Sequence, residues 1–77
     1  MRKLNYFLTV ANYQNINRAA EFLGVQPSTL TKSIKKQEDE MGTQLFRRHG
    51  KGMSLTPEGK VFYEFAMTVQ RELEYVH

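Results

Sequence analysis

The stretch QPSTLTKSIKKQEDEMG, residues 26–42, decides how the rest of this chain is read. It has the marks of one helix of about four turns, at 3.6 residues per turn. Pro27 suits a first helical position, where the missing N–H costs nothing, and Gly42 falls just past the end. Leu30, Ile34 and Met41 recur along one stripe. Ser28, Lys32, Lys35 and Asp39 fall on the opposite face, with Lys36 beside them. The charge order is unusual: Lys32, Lys35 and Lys36 come early, and Glu38, Asp39 and Glu40 come late. The helix dipole favours the reverse by about 0.3–1 kcal/mol per group near the termini. Such an order suits a helix that presents its leading half to a polyanion. It fits a solvated surface helix equally well, so the flanking segments must decide.

Upstream, Ile16, Ala19, Ala20 and Leu23 follow the spacing of an amphipathic helix, with Asn17 or Asn15 as its N-cap and Gly24 as its left-handed end. Only Val25 and Gln26 then separate this helix from Pro27. A short helix, a tight glycine turn and a second helix form the helix-turn-helix signature, in which the second helix enters the major groove of DNA. The paired alanines and the short turn favour a steep crossing over an antiparallel hairpin. Further upstream, Leu4, Phe7, Leu8 and Ala11 repeat the pattern, with Val10 at its edge. They predict a first helix from Arg2 or Lys3 to Tyr13 that supplies core and is closed by the polar run Asn12-Tyr13-Gln14-Asn15.

Downstream the period changes. Leu45-Phe46-Arg47-Arg48 and Met53-Ser54-Leu55 flank His49-Gly50-Lys51-Gly52, which reads as a β-hairpin. Leu45 and Leu55 are expected to face the core, while Arg47, Arg48 and Lys51 project outward as a basic wing over residues 47–53. Thr56-Pro57-Glu58 is a strong helix start, with a threonine N-cap, proline at the first position and an acid in the first turn. Phe62, Ala66, Val69, Leu73 and Val76 then trace a heptad seam, broadened toward the body by Phe65 and Val61. So small a body cannot bury the far half of such a helix, and a second copy is the natural partner.

Size and composition narrow the function. Seventy-seven residues make one domain, and a chain this small buries only about 60% of its unfolded surface, so dimerisation is a natural reinforcement. There is no cysteine, and the two histidines, His49 and His77, stand alone. Neither a metal site nor a cofactor is expected. No apolar run approaches membrane-spanning length and no signal peptide is visible, which fits a cytoplasmic protein. Residues 26–56 carry six bases against three acids, while residues 57–77 carry two against four. A basic body with an acidic tail calls for an anionic partner on the body alone. Enzymatic chemistry is not expected: there is no cysteine and no histidine near an acid pair, and Gly50-Lys51-Gly52 lies in a hairpin instead of the strand-to-helix turn that cradles phosphates.

At this point the chain resembles the N-terminal DNA-binding domain of the LysR-type transcriptional regulators. The resemblance rests on LNYFLTVA at 4–11, INRAAEFLGV at 16–25, TLTKSI at 29–34, MGTQLFRR at 41–48 and LTPEG at 55–59, with no insertions between the blocks. It implies a mostly α fold with a small β-hairpin: a winged helix-turn-helix over 1–56, followed by a long linker helix over 57–77 through which two chains dimerise. It also implies an interrupted inverted repeat as the DNA target, an effector domain beyond this sequence that would bind any small-molecule ligand, and room for higher assembly in the full-length protein. Two positions depart from the common pattern. Gln26-Pro27 stands where the family usually has serine or threonine followed by glutamine, and Gln37 replaces an inward leucine. Gln37 is therefore expected to be partly exposed.

The expected DNA contacts follow. Gln26, Pro27, Ser28, Thr29 and Thr31 occupy the first turns of the recognition helix, 27–41, close to base edges, while Lys32 and Lys35 reach bases or phosphates. Arg48 and Lys51 on the wing lie at the neighbouring minor groove. The resemblance supports Thr31, Lys32 and Lys51 most directly. Glu38 and the acids after it are expected to pair within the protein, with Arg18 as one partner. The alternative function is a protein-interaction module that dimerises or captures a partner through its C-terminal helix.

Overall fold

In the computed structural model, which describes residues 2–50 and 52–76, the order is α1 (Arg2–Tyr13), α2 (Ile16–Leu23), α3 (Pro27–Met41), β1 (Phe46–His49), β2 (Gly52–Leu55) and α4 (Pro57–Val76). Lys51 and the side chain of Val76, both assigned roles from the sequence, lie outside the described residues. No helix among the described residues is long and apolar enough to cross a membrane.

The helix ends sit where the sequence predicts, for local reasons. Asn15 caps α2, its side-chain oxygen accepting from the Arg18 N–H at 2.9 Å. Gly24 closes α2 at φ +71°, and the Val25 N–H turns back to the Ala20 carbonyl at 3.0 Å. That left-handed step costs a β-carbon-bearing residue roughly 1–2 kcal/mol, which glycine avoids. It lets α3 start three residues later. Gly42 ends α3 in the same manner.

Helices α1, α2 and α3 pack against one another, with Phe7, Val10, Ala19, Leu30 and Ile34 almost fully buried. Ala19 and Ala20 face inward, as the close approach of α2 requires. Two sequence expectations for α3 are corrected. Its inward stripe is Leu30, Ile34 and Gln37, not Leu30, Ile34 and Met41. Met41, the last residue of α3, is 44% exposed. Gln37, expected to be partly exposed, is buried, and its Oε1 accepts no hydrogen bond among the described residues. It sits one turn beyond Ile34 on the inward stripe of α3. An unpaired buried amide oxygen costs about 1–3 kcal/mol.

The hairpin pairs Phe46 with Leu55, Arg47 with Ser54, Arg48 with Met53 and His49 with Gly52. Leu45 is buried as expected and Leu55 is half-buried, while Phe46 and Met53, which the sequence did not single out, are buried with them. Phe7 joins the layers: its ring centroid lies 5.4 Å from Phe46, 4.8 Å from Phe62 and 6.5 Å from Tyr63. The wing is also tied to the α1–α2 turn, where the Met53 N–H donates to the Gln14 carbonyl at 3.0 Å.

Thr56 locks α4 to the start of the wing. Its hydroxyl donates to the Gln44 carbonyl at 2.6 Å and accepts from the Gly59 N–H at 2.9 Å, while its own N–H donates to Leu45 O at 3.0 Å. This close approach leaves no room at Gly59, where a Cβ would collide with the Leu45 carbonyl oxygen. Gly59→Ala therefore destabilises the domain although it lies in a helix, where glycine-to-alanine normally gains about 1 kcal/mol. Gly50→Ala, with nothing within 4 Å, is the control. Thermal melts of the two variants check this, and a Gly59→Ala domain as stable as the parent would contradict the packing described.

Candidate nucleic-acid interface

The leading turn of α3 stands free of the body. Gln26, Pro27, Ser28 and Thr29 are all exposed, and so are Lys32, Lys35 and Lys36 one and two turns later. Thr31 is half-buried. Gln26 has the extended backbone of an N-cap, with φ −71° and ψ 141°, but its side chain makes no capping hydrogen bond. Proline at the next position imposes that extended conformation on its own. The amide of Gln26 is thus left to bond outside the protein.

The wing presents its cations on both faces. Side chains alternate along a strand, so Arg48 shares a face with Phe46 and Met53 while Arg47 points the other way. Both are exposed. Lys51, the third expected wing cation, lies outside the described residues.

One carboxylate sets the wing against α3. Glu38 Oε2 accepts from the Leu45 N–H at 2.8 Å and from the Phe46 N–H at 3.2 Å. The expectation that Glu38 pairs within the protein is met, but its partners are main-chain groups and not Arg18, which is exposed and makes no ion pair among the described residues. No sequence pattern announces this contact, because its partners are seven and eight residues away across a non-repetitive link. The one ion pair among the described residues joins Lys3 to Glu40 at 3.3 Å, at the surface.

The dimer seam expected on α4 divides. Ala66 is fully buried within the single chain, and Phe62 and Val69 are half-buried against its core. Those three positions belong largely to the fold, because α4 turns them toward α1 and β2. Phe65 and Leu73 are exposed at 59% and 41%, and Val61 joins them at 73%. Val61 and Phe65 thus face away from the body, not toward it. Phe65 also stacks on Phe62, with ring centroids 6.0 Å apart.

Residues 1–60 match the family model of the bacterial regulatory helix-turn-helix proteins of the lysR family. The chain belongs to the LysR family. Among its relatives, the HTH-type transcriptional regulator BudR of Klebsiella aerogenes is 44% identical over 69 residues, covering 90% of this chain and 48% of BudR. BenM of Acinetobacter baylyi is 36% identical over 67 residues, covering 87% of this chain and 22% of BenM. The LysR-family chain thus spans about half the length, or less, of the curated relatives it matches. Among solved structures, the BenM DNA-binding domain in complex with benA site 1 DNA superimposes with a TM-score of 0.93 at 32% identity, over 97% of this chain and 87% of that one. The complex of the CbnR DNA-binding domain with DNA gives 0.92 at 31% identity, over 97% and 86%. This is the winged helix-turn-helix DNA-binding domain of a LysR-type regulator.

Removing the Glu38 carboxylate leaves two main-chain donors short of a partner, and hydrogen bonds to a charged group contribute about 1.5–3 kcal/mol. Glu38→Ala should lower the melting temperature and speed hydrogen exchange at the Leu45 and Phe46 amides while α1 keeps its protection. Unchanged exchange at both amides would show that the carboxylate does not hold the wing.

Proposed function

We propose that this domain binds duplex DNA sequence-specifically as a two-fold dimer, with α3 in the major groove and the wing at the adjacent minor groove. The observation that carries the reading is the exposed leading face of α3, where the side chains of Gln26, Ser28, Thr29, Lys32 and Lys35 make no hydrogen bond or ion pair among the described residues and Pro27 is exposed beside them. The likeness to DNA-bound LysR-family domains supports it. In this reading Gln26, Pro27, Ser28, Thr29 and Thr31 meet base edges, and Lys32, Lys35, Arg48 and Lys51 meet bases or phosphates. Residues 1–56 form the DNA-reading unit and residues 57–77 the linker and dimerisation helix. The protein works in the cytoplasm on an interrupted inverted repeat, and any small-molecule effector acts through a further domain of a longer protein.

A duplex titration at rising salt tests the DNA reading. The logarithm of affinity should fall linearly with the logarithm of salt concentration, by about 0.9 for each phosphate neutralised. Absence of duplex binding at low salt would remove the reading and leave the exposed row on α4 as the stronger clue to function.

The exposed row narrows how a second copy would pair. Phe65 contributes its outward face, with Val61 and Leu73 along the same helix, whereas Ala66 is already covered. Phe65→Asp should shift the chain toward monomer and weaken binding to a duplex with two half-sites far more than to one half-site. Equal losses on the two duplexes would count against reading by a dimer.

A further inference from the structure

Gln14 and Asn15 alone join α1 to α2, and Gln14 has an unusual backbone. Its φ is +54°, which makes it the one non-glycine in the left-handed region among the described residues. Glutamine gains nothing there: its β-carbon crowds the carbonyl, and it lacks the short side chain with which asparagine or aspartate bonds its own backbone. A residue stays in that region only where its surroundings hold it. The Gln14 N–H donates to the Val10 carbonyl at 2.7 Å and closes α1, while Asn15 beside it caps α2. The Gln14 carbonyl then turns to the wing and accepts from the Met53 N–H at 3.0 Å. Next to that contact, Gly52 comes so close that a Cβ would overlap the Gln14 carbonyl oxygen, a main-chain atom that cannot swing aside.

We propose that this contact is a latch: Gln14 is a positioning residue whose left-handed backbone sets where the wing meets DNA, and Gly52 is the glycine that admits it. The inference rests on the DNA reading above. The bonds of Glu38 and Thr56 hold only the base of the hairpin, at Gln44, Leu45 and Phe46. The outer half, where Arg48 pairs with Met53 and His49 with Gly52, takes no other hydrogen bond from the body among the described residues. Met53 also buries its side chain, but apolar packing is non-directional and leaves the hairpin free to rock about its base. The Gln14 carbonyl adds one directional bond on the outer half, the half that carries Arg48. The turn between α1 and α2 thus acts on DNA through the wing without touching DNA.

The test compares the parent with Gly52→Ala, Gln14→Val and Gln14→Gly, and with Gly50→Ala as the control where a Cβ meets nothing within 4 Å. Valine is β-branched and leaves the left-handed region, whereas glycine occupies it freely. Two quantities are followed well below each melting temperature: hydrogen exchange at the Met53 amide, and the salt dependence of binding to a fluorescein-labelled random-sequence duplex. Gly52→Ala and Gln14→Val should speed exchange at Met53 while the α3 amides keep their protection. Both should also lower the log–log salt slope, by about 0.9 for each wing cation drawn off its phosphate. Gln14→Gly and Gly50→Ala should keep the parent values of both quantities. A parent slope in a variant whose Met53 amide exchanges faster overturns the latch and leaves the DNA reading intact. Unchanged exchange at Met53 in both Gly52→Ala and Gln14→Val overturns it as well, and so does a lowered slope in Gln14→Gly, which would assign the effect to the side chain. If one of the two disrupting variants fails to fold, the other carries the test. If both fail, the contact belongs to the fold and the proposal is overturned. Failure of the parent to bind the duplex at low salt overturns the DNA reading itself.

Discussion

Glu38 leaves α3 one turn before its end and accepts the main-chain N–H groups of Leu45 and Phe46, at 2.8 and 3.2 Å. That contact ties α3 and the wing into one geometry. A winged reader needs its wing at a fixed distance from the recognition helix, since the grooves it enters are fixed by the duplex. A two-stranded hairpin is marginal alone and cannot supply that constraint itself. The hydrogen bonds of Thr56 to Gln44 and Gly59, and of Met53 to Gln14, brace the same hairpin from two further sides.

This contact also explains the charge order of α3. Acids in the last turns of a helix work against its dipole. Glu38 is held there because its carboxylate serves the wing, and Glu40 pairs with Lys3 of α1. The lysines of the leading half have no such partners among the described residues. The dipole penalty is small, a few tenths to about 1 kcal/mol per group, and a carboxylate bonded to two amides outweighs it.

Phe7 performs the corresponding task in the core. Fully buried, it meets Phe46 of the wing and Phe62 and Tyr63 of α4, and Tyr63 in turn donates to the Asn12 side chain at 2.7 Å. The first half of α4 is thereby committed to the body. A 20-residue helix spans about 30 Å. The two shorter dimensions of the molecule are 27 and 20 Å, so the far turns overhang, and residues 71–75 are all exposed. One helix thus serves two interfaces, and its sequence shows a single apolar band where the structure separates an inner row, Phe62, Ala66 and Val69, from an outer one at Val61 and Phe65.

What the sequence determined by itself was local. Gly24, Pro27 and Thr56-Pro57 mark helix ends because main-chain φ/ψ preferences and capping act within three or four residues, while the cap of α2 stayed between Asn17 and Asn15 until the structure placed it at Asn15. The exposed leading face of α3 was legible for the same reason, since helical periodicity alone puts Ser28, Lys32 and Lys35 on one side. Only the tertiary structure decided that Glu38 bonds the wing's main chain instead of pairing with Arg18, that Gln37 lies buried with its carbonyl unpaired among the described residues, that Met41 stays exposed, and which α4 residues remain free. Each of these depends on which segment packs across from a given side chain. Periodicity gives a residue's direction on its own helix, but burial and partners are set by the elements that arrive from elsewhere in the chain.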